Sequence, residues 1–100
     1  MKEKDILKTI IEYLQWQKIV YIRNNSGAMK TQQGGFIRFG QTGSPDIIAI
    51  QPKTGRFIGI ECKVSKNKLS PAQEDFKQRC EESNGIFITA RELGDILHVL

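Results

Sequence analysis

Two carboxylates and an ammonium group stand near the ends of two short apolar segments of the chain. Asp46 opens the segment 46–50, and Glu61 and Lys63 lie in the segment 57–64. Carboxylate oxygens are the hard ligands that Mg²⁺ and Mn²⁺ prefer, and a lysine beside them offsets negative charge on a phosphate. This combination at the ends of paired strands is typical of a metal-dependent phosphodiesterase site.

The two segments are predicted to pair as an antiparallel hairpin. Pro52-Lys53-Thr54-Gly55 lies between them, and its proline and glycine favour a reversing turn. If this turn is symmetric about its centre, Asp46 lies directly opposite Glu61, with Cβ atoms roughly 4.5–5.5 Å apart, and Lys63 projects from the same face. Two carboxylates so close require a shared proton or a cation.

The apolar side chains of the second segment fix this register. Ile58, Ile60, Cys62 and Val64 form a stripe that must pack against a helix or a second layer. A shift of one residue would expose this stripe and bury Glu61. We therefore expect the charged groups to stay on the opposite, unburied face.

Length and composition predict a single domain over residues 1–100. An apolar content of 39% suffices for one hydrophobic core, and the net charge of +4 suits a polyanionic partner without requiring one. Cys62 and Cys80 lack the spacing of a zinc site or a disulfide framework, so both are expected to be reduced thiols. The sequence contains no apolar run of roughly 18 residues and no secretory signal, so we expect a cytoplasmic protein without a membrane partner.

The chain before the hairpin is predicted to contain one helix and one strand, and a second strand is a candidate. Apolar residues at helical spacing predict an amphipathic helix over 3–16. The β-branched and aromatic residues 19–23 predict a strand, which ends in a loop at 24–27. Residues 36–39 are a further strand candidate, inside a polar, glycine-rich stretch that is either a DNA-contacting flap or an ordinary surface hairpin.

After the hairpin the sequence predicts a helix, a strand and a last short helix. Ser70-Pro71-Ala72-Gln73 combines an N-cap serine, a proline at the first helical position and a capping-box glutamine, so a helix is expected from about Pro71 to Glu82. Residues 86–88 form the strand, and the last helix runs through Leu97. The predicted order is α-β-β-β-β-α-β-α in an α/β fold.

In this order, the motifs resemble those of the virus-type replication-repair nuclease (VRR-NUC) domain, a branch of the PD-(D/E)xK restriction-endonuclease-like superfamily. The resemblance covers nearly the whole chain. The motifs that carry it are Glu3 ahead of Ile6 and Ile10, Arg23-Asn24-Asn25, Gly43-Ser44-Pro45-Asp46, Glu61-Cys62-Lys63 and Leu69-Ser70-Pro71-Ala72-Gln73. It implies a restriction-endonuclease-like core, in which a central mixed β-sheet is flanked by helices.

The resemblance also implies roles for individual residues. The ligands of Mg²⁺ or Mn²⁺ would be Asp46, Glu61 and the backbone carbonyl of Cys62. The residues implied in catalysis are Lys63, Glu61, Asp46, Glu3 and Gln73. Two of them have an alternative explanation, because Glu3 is suited to complement the helix dipole and Gln73 is suited to cap its helix.

Stand-alone relatives of this size are similar to phage or bacterial enzymes that act as homodimers on branched DNA, including four-way (Holliday) junctions. The resemblance therefore implies a metal-dependent DNA endonuclease. The only histidine, His98, lies near the C-terminus, which argues against a histidine-based nuclease. The basic residues expected to contact DNA phosphates are Lys30, Arg38, Lys53, Arg56, Lys66 and Lys68.

Three alternatives stay open at this point. The first is a module of the same fold that binds branched or single-stranded DNA without cutting it. The second keeps the nuclease activity but directs it to flaps or linear ends. The third is purely structural: Glu61 and Lys63 form a cross-strand ion pair, and Asp46 caps a turn.

Overall fold

The described part of the chain contains two α-helices, one 3₁₀ helix and six strands. The structure is a computed structural model that describes residues 1–24 and 27–100, without the side chains of residues 27–29 and 37–39. None of the helices in these ranges is long and apolar enough to cross a membrane. The helices are α1 (Glu3–Trp16), α2 (Pro71–Glu82) and the 3₁₀ helix (Leu93–Ile96). The strands are β1 (Tyr21–Arg23), β2 (Gly27–Lys30), β3 (Phe36–Phe39), β4 (Ile47–Ile50), β5 (Phe57–Cys62) and β6 (Ile86–Ala90).

Four strands form the central sheet in the order β1-β4-β5-β6. Strands β1 and β5 both run antiparallel to β4, whereas β6 runs parallel to β5, so the sheet is mixed. Strands β2 and β3 pair with each other as a separate antiparallel sheet. The predicted α/β architecture with a central mixed sheet is confirmed.

The hairpin formed by β4 and β5 has the predicted register. Ile47 pairs with Ile60, and this register places Asp46 opposite Glu61. In the connecting turn, Gly55 adopts a φ angle of 74°, which glycine tolerates because it has no Cβ. The turn and the apolar stripe therefore specify the pairing together.

The hydrophobic core lies between α1 and one face of the central sheet. Ile6, Ile10 and Leu14 of α1 are buried, and Ile58 and Ile60 of the predicted stripe are fully buried in the same cluster. The one-sided apolar pattern of α1 thus meets the one-sided apolar pattern of β5. This packing confirms that the stripe faces a helix.

Helix α2 covers part of the opposite face of the sheet. The ring of Phe76 lies 6.4 Å from that of Phe57 on β5 and 6.2 Å from that of Phe87 on β6. Because β5 is an inner strand with a helix packed near each face, Glu61 is only 4% exposed. The expectation that the charged side chains would lie on an unburied face is therefore wrong for Glu61.

Two segments differ from the sequence prediction, and one candidate strand is present as predicted. Residues 27–30 form strand β2, where the sequence predicted the end of a loop and polar surface. The local composition does not favour a strand here, but hydrogen bonds to β3 stabilise one. The candidate strand at 36–39 is present as β3. The last helix is a four-residue 3₁₀ helix, since a segment this short, with a glycine at position 94, does not propagate an α-helix.

Candidate active site

Asp46 and Glu61 form a pair of carboxyl groups at one end of the hairpin. The two side chains are in hydrogen-bonding contact, and Oδ2 of Asp46 also accepts a hydrogen bond of 2.8 Å from the backbone N–H of Cys62. Glu61 is buried, whereas Asp46 is half-buried. One oxygen of Asp46 is thus fixed by the backbone of β5, and the pair is accessible from the Asp46 side.

Burial and mutual repulsion change the protonation of this pair. The pKa of Glu61 rises from its ordinary value of 4.5 to about 8, first because burial penalises the charged form, and then because of the charge of Asp46 and the hydrogen bond to it. The charge of Lys63 lowers this pKa, and the charge of Glu3 raises it. Without a metal, the pair therefore keeps a proton near neutral pH, where a bound cation would relieve the same repulsion.

Lys63 lies near the pair but does not form an ion pair with it. Its backbone N–H donates a hydrogen bond of 3.0 Å to the carbonyl of Ala90, so the chain still follows β6 one residue beyond the end of β5. Among the side chains that the structure describes, the ion pairs within 4.0 Å are Lys8–Glu12 and Asp75–Arg79. The purely structural alternative required a Glu61–Lys63 ion pair and a turn capped by Asp46, and the structure shows neither.

Cys62 presents its backbone to the site and its thiol to the core. The side chain is 1% exposed and belongs to the core cluster. Its pKa is raised to about 12, first by burial and then by the charges of Asp46, Glu61 and Glu3, so the thiol stays protonated. Cys62 and Cys80 are not joined in a disulfide, and the burial of Cys62 agrees with the prediction of a core thiol.

Glu3 lies near the pair in the first turn of α1, whereas the contacts of Gln73 are with the first turn of its own helix, α2. Glu3 is exposed in the first turn of α1, yet it is close enough for its charge to raise the pKa of Glu61. Oε1 of Gln73 accepts a hydrogen bond of 2.8 Å from the N–H of Ser70, and Oγ of Ser70 accepts one of 3.2 Å from the N–H of Gln73. The predicted capping box is therefore confirmed, and it engages the amide oxygen of Gln73.

The segment before Asp46 is held by Asn24, which belongs to one of the motifs of the family resemblance but to which the sequence analysis assigned no individual role. Nδ2 of Asn24 donates hydrogen bonds to Oγ of Ser44 (2.8 Å) and to the carbonyl of Pro45 (2.9 Å). The backbone N–H of Asn24 donates a third, of 2.8 Å, to the carbonyl of Asp46. These contacts form because β1 pairs with β4. Local sequence patterns do not predict that pairing.

The same segment touches α2 at Gly43. The φ angle of Gly43 is +83°, and a Cβ atom there would lie 2.3 Å from the carbonyl oxygen of Ala72. We expect Gly43→Ala to lower the free energy of unfolding by at least ~3 kcal/mol, because helix backbone cannot move aside as a side chain can. Urea denaturation measures this loss.

Gly55→Ala is the matched control for Gly43→Ala. Gly55 has a similar φ angle of +74°, but a Cβ atom there would meet nothing within 4 Å. Its expected loss is about 1 kcal/mol, from the left-handed backbone alone. Equal losses at the two glycines would contradict the close packing of this segment on α2.

The candidate DNA-contacting lysines are exposed, and two of them follow Lys63 closely in the chain. Lys66 and Lys68 are exposed in the segment between β5 and α2, directly after Lys63. Lys30 is exposed at the end of β2. The side chain of Arg38 lies outside the described residues.

Contrary to the expectation from the sequence, Lys53 and Arg56 do not flank the carboxyl pair. Both lie at the turn end of the hairpin, whereas Asp46 lies at the opposite end of β4. The four residues of β4 separate them by roughly 13 Å. Nε of Arg56 also donates a hydrogen bond of 3.0 Å to the carbonyl of Asn84. Any contact of these two residues with DNA would therefore be remote from the pair.

The side chains available to bind a metal here are two carboxylates. Among the described residues, no three His, Cys, Asp or Glu side chains form a metal-binding group. Zn²⁺ in structural sites prefers four nitrogen or sulfur ligands, and the pair does not supply them. Mg²⁺ is usually bound through one or two carboxylates and keeps several water molecules, so Asp46 and Glu61 fit this ion.

The mixed sheet, the carboxyl pair and the nearby lysine are those of a PD-(D/E)xK nuclease fold. The family model of the VRR-NUC domain matches residues 1–91, and the chain therefore belongs to the VRR-NUC domain family. A solved structure described as a VRR_NUC domain is similar in fold, with a TM-score of 0.68 and 17% sequence identity over 94% of this chain and 88% of that chain. No curated protein matches the sequence. VRR-NUC domains are nuclease domains, so the family indicates a nuclease-type function in DNA processing.

Proposed function

We propose that this chain is a divalent-metal-dependent endonuclease that hydrolyses phosphodiester bonds in structured DNA and, as a homodimer, resolves four-way junctions. The observation that carries the proposal is the contact between the carboxyl groups of Asp46 and Glu61, with Lys63 near them and in no ion pair. Two buried or half-buried acids in contact are costly for stability. A site that binds a cation explains why the fold retains them.

Asp46, Glu61 and the backbone carbonyl of Cys62 would hold Mg²⁺ or Mn²⁺. When bound, the cation would polarise the scissile phosphate and make a water molecule more acidic. Glu61 must lose its proton before it can serve as a ligand. Lys63 orients the attacking water and offsets the negative charge that develops on the phosphate, while Glu3 and Gln73 act at the periphery of the site.

A panel of labelled DNA substrates tests the proposed activity and its alternatives. Four-way junctions, flaps and linear duplexes are incubated with Mg²⁺, Mn²⁺ or EDTA. We expect cutting of the junction that requires a divalent metal and exceeds cutting of the linear duplex. Preferred cutting of flaps or linear ends would favour the alternative nuclease, and metal-independent binding without cutting would favour a non-cleaving DNA-binding module.

The proposed dimer follows from the geometry of junction resolution and from the family resemblance. One site cuts one strand, whereas resolution of a four-way junction needs two symmetric incisions, and a two-fold dimer supplies two sites in that relation. We expect light scattering to give the mass of a dimer at micromolar concentration. A monomer across that range would contradict the homodimer.

Lys66 and Lys68 are proposed to contact DNA phosphates, together with Lys30 and Arg38. Each phosphate contact releases counterions, so we expect the double variant Lys66→Ala/Lys68→Ala to reduce the slope of log K against log salt by about 2. Fluorescence anisotropy at several salt concentrations measures this slope.

Lys8→Ala/Arg79→Ala is a control that removes the same amount of charge. Lys8 and Arg79 are exposed helix residues that each pair with an acid four residues away along the helix. We expect this control to change the slope much less. Equal changes in the two double variants would indicate that only net charge matters.

A further inference from the structure

We propose that Asn24 is a positioning residue that sets the carboxylate of Asp46 in place for cation binding, an inference that rests on the proposed metal-dependent activity. Asn24 makes three hydrogen bonds, of 2.8, 2.9 and 2.8 Å, to the consecutive residues Ser44, Pro45 and Asp46. The side chain itself does not contact the carboxyl groups. Asn24 therefore acts through the backbone that carries Asp46.

The chemistry of the contacts defines how Asn24 is oriented. A backbone carbonyl can only accept a hydrogen bond, so the atom of Asn24 that faces the carbonyl of Pro45 must be the amide nitrogen. The same nitrogen reaches Oγ of Ser44. An aspartate of the same size would place an oxygen against that carbonyl instead. The role consequently requires a donor at position 24.

Asp46 is anchored from the two strands on either side of it. On the β1 side, Asn24 holds its backbone carbonyl, and on the β5 side the N–H of Cys62 holds its Oδ2 atom. Together these anchors fix both the position of the residue and the rotation of its carboxylate. The second oxygen of Asp46 receives no hydrogen bond from the described backbone and is available to a cation.

The segment that precedes Asp46 does not hold this position by itself. It begins at Gly43, whose left-handed backbone places few restrictions of its own. Without the side-chain amide of Asn24, Oγ of Ser44 and the carbonyl of Pro45 lose their hydrogen bonds. The part of the segment between the Gly43 contact with α2 and the pairing of β1 with β4 can then shift. Partners that orient metal ligands typically contribute 10- to 100-fold to metal affinity.

Titration of Mn²⁺ into the full chain by calorimetry, without DNA, tests the proposal. We expect Asn24→Ala and Asn24→Asp to weaken Mn²⁺ binding by about 10-fold or more. Ser44→Ala, which removes only one acceptor, is expected to have a smaller effect in the same direction. Cleavage at saturating Mn²⁺ should recover towards the wild-type rate, because the carboxylates themselves remain.

Gln51→Ala is the matched control. Nε2 of Gln51 donates to the carbonyl of Val99 at 3.3 Å, so this variant also removes a side-chain amide bond to a backbone carbonyl, but at the opposite end of β4. We expect it to leave Mn²⁺ affinity unchanged. Thermal melts of all variants separate a loss of stability from a loss of metal binding.

The outcomes distinguish this inference from the proposed function. If Asp46→Asn loses Mn²⁺ binding while Asn24→Ala and Ser44→Ala retain wild-type affinity, Asn24 serves only stability and the inference is overturned. If Asp46→Asn binds Mn²⁺ as tightly as the wild type, the proposed metal site itself is wrong. Should Asn24→Ala fail to fold, a reduced Mn²⁺ affinity in folded Ser44→Ala supports the inference, and an unchanged affinity overturns it.

Discussion

Replacing Lys63 with alanine is expected to reduce metal-dependent cleavage of a four-way junction by about 100- to 1000-fold. This is the typical cost of removing one group that stabilises charge developing in a transition state. Lys63 forms no ion pair with the carboxyl groups, so its removal should not destabilise the fold by leaving a partner unpaired. Single-turnover cleavage with Mg²⁺ or Mn²⁺ measures the effect.

Two further variants sharpen this experiment. Lys63→Met keeps most of the aliphatic side chain and removes only the charge, so it should be as inactive as Lys63→Ala while preserving the packing of a half-buried residue. Lys8→Ala removes an exposed lysine of α1 that pairs with Glu12 and should retain most of the activity. DNA binding by all three, measured with EDTA, should stay close to wild type. Substantial cleavage by Lys63→Met would show that the ammonium group is not required.

The metal-free protein is expected to lose stability as the pH rises from about 5 to about 8.5, because of Glu61. The folded-state pKa of Glu61 is about 8, above its ordinary value of 4.5. The stabilising contribution is therefore complete below pH 4.5, where the group is protonated in both states, and is lost as the pH rises through 8. A loss of up to about 5 kcal/mol corresponds to a fall in Tm on the order of 20 °C.

Glu61→Gln removes this dependence and also tests metal binding. Glutamine has no proton to lose, so in EDTA its Tm should vary less with pH than that of the wild type, and it should exceed the wild-type Tm above pH 8. Addition of Mn²⁺ at pH 8 should raise the Tm of the wild type, since ligands stabilise the state that binds them, but should not raise that of the variant. A wild-type Tm in EDTA that is flat across this range would contradict the raised pKa.

The relative position of the two acids could be predicted because it is a local property of the chain. Only a short turn separates the strands that carry Asp46 and Glu61, and the alternation of apolar residues permits one register. The bounds of α2 could be predicted for the same reason. Ser70 and Gln73 form hydrogen bonds with backbone N–H groups at the start of the helix, and both lie within the segment itself.

Features that depend on distant parts of the chain could not be predicted in this way. Glu61 is buried because α1, α2, β4 and β6 surround β5. The sequence of β5 itself does not predict how many other elements pack against this strand. The contact of Gly43 with Ala72 and the placement of Lys53 remote from the pair likewise follow from tertiary packing. The raised pKa of Glu61 is a consequence of that packing.

By itself, the sequence determined helices α1 and α2, the hairpin and its register, and the set of acids and lysine that the hairpin carries. The reason is that turn residues, capping residues and apolar periodicity act over a few neighbouring positions. Only the tertiary structure decided that β1 pairs with β4, that Asn24 thereby holds the segment leading to Asp46, and that Glu61 is buried. Such contacts join residues about twenty or more positions apart. Their choice depends on the free energy of the whole packed domain rather than on any local pattern.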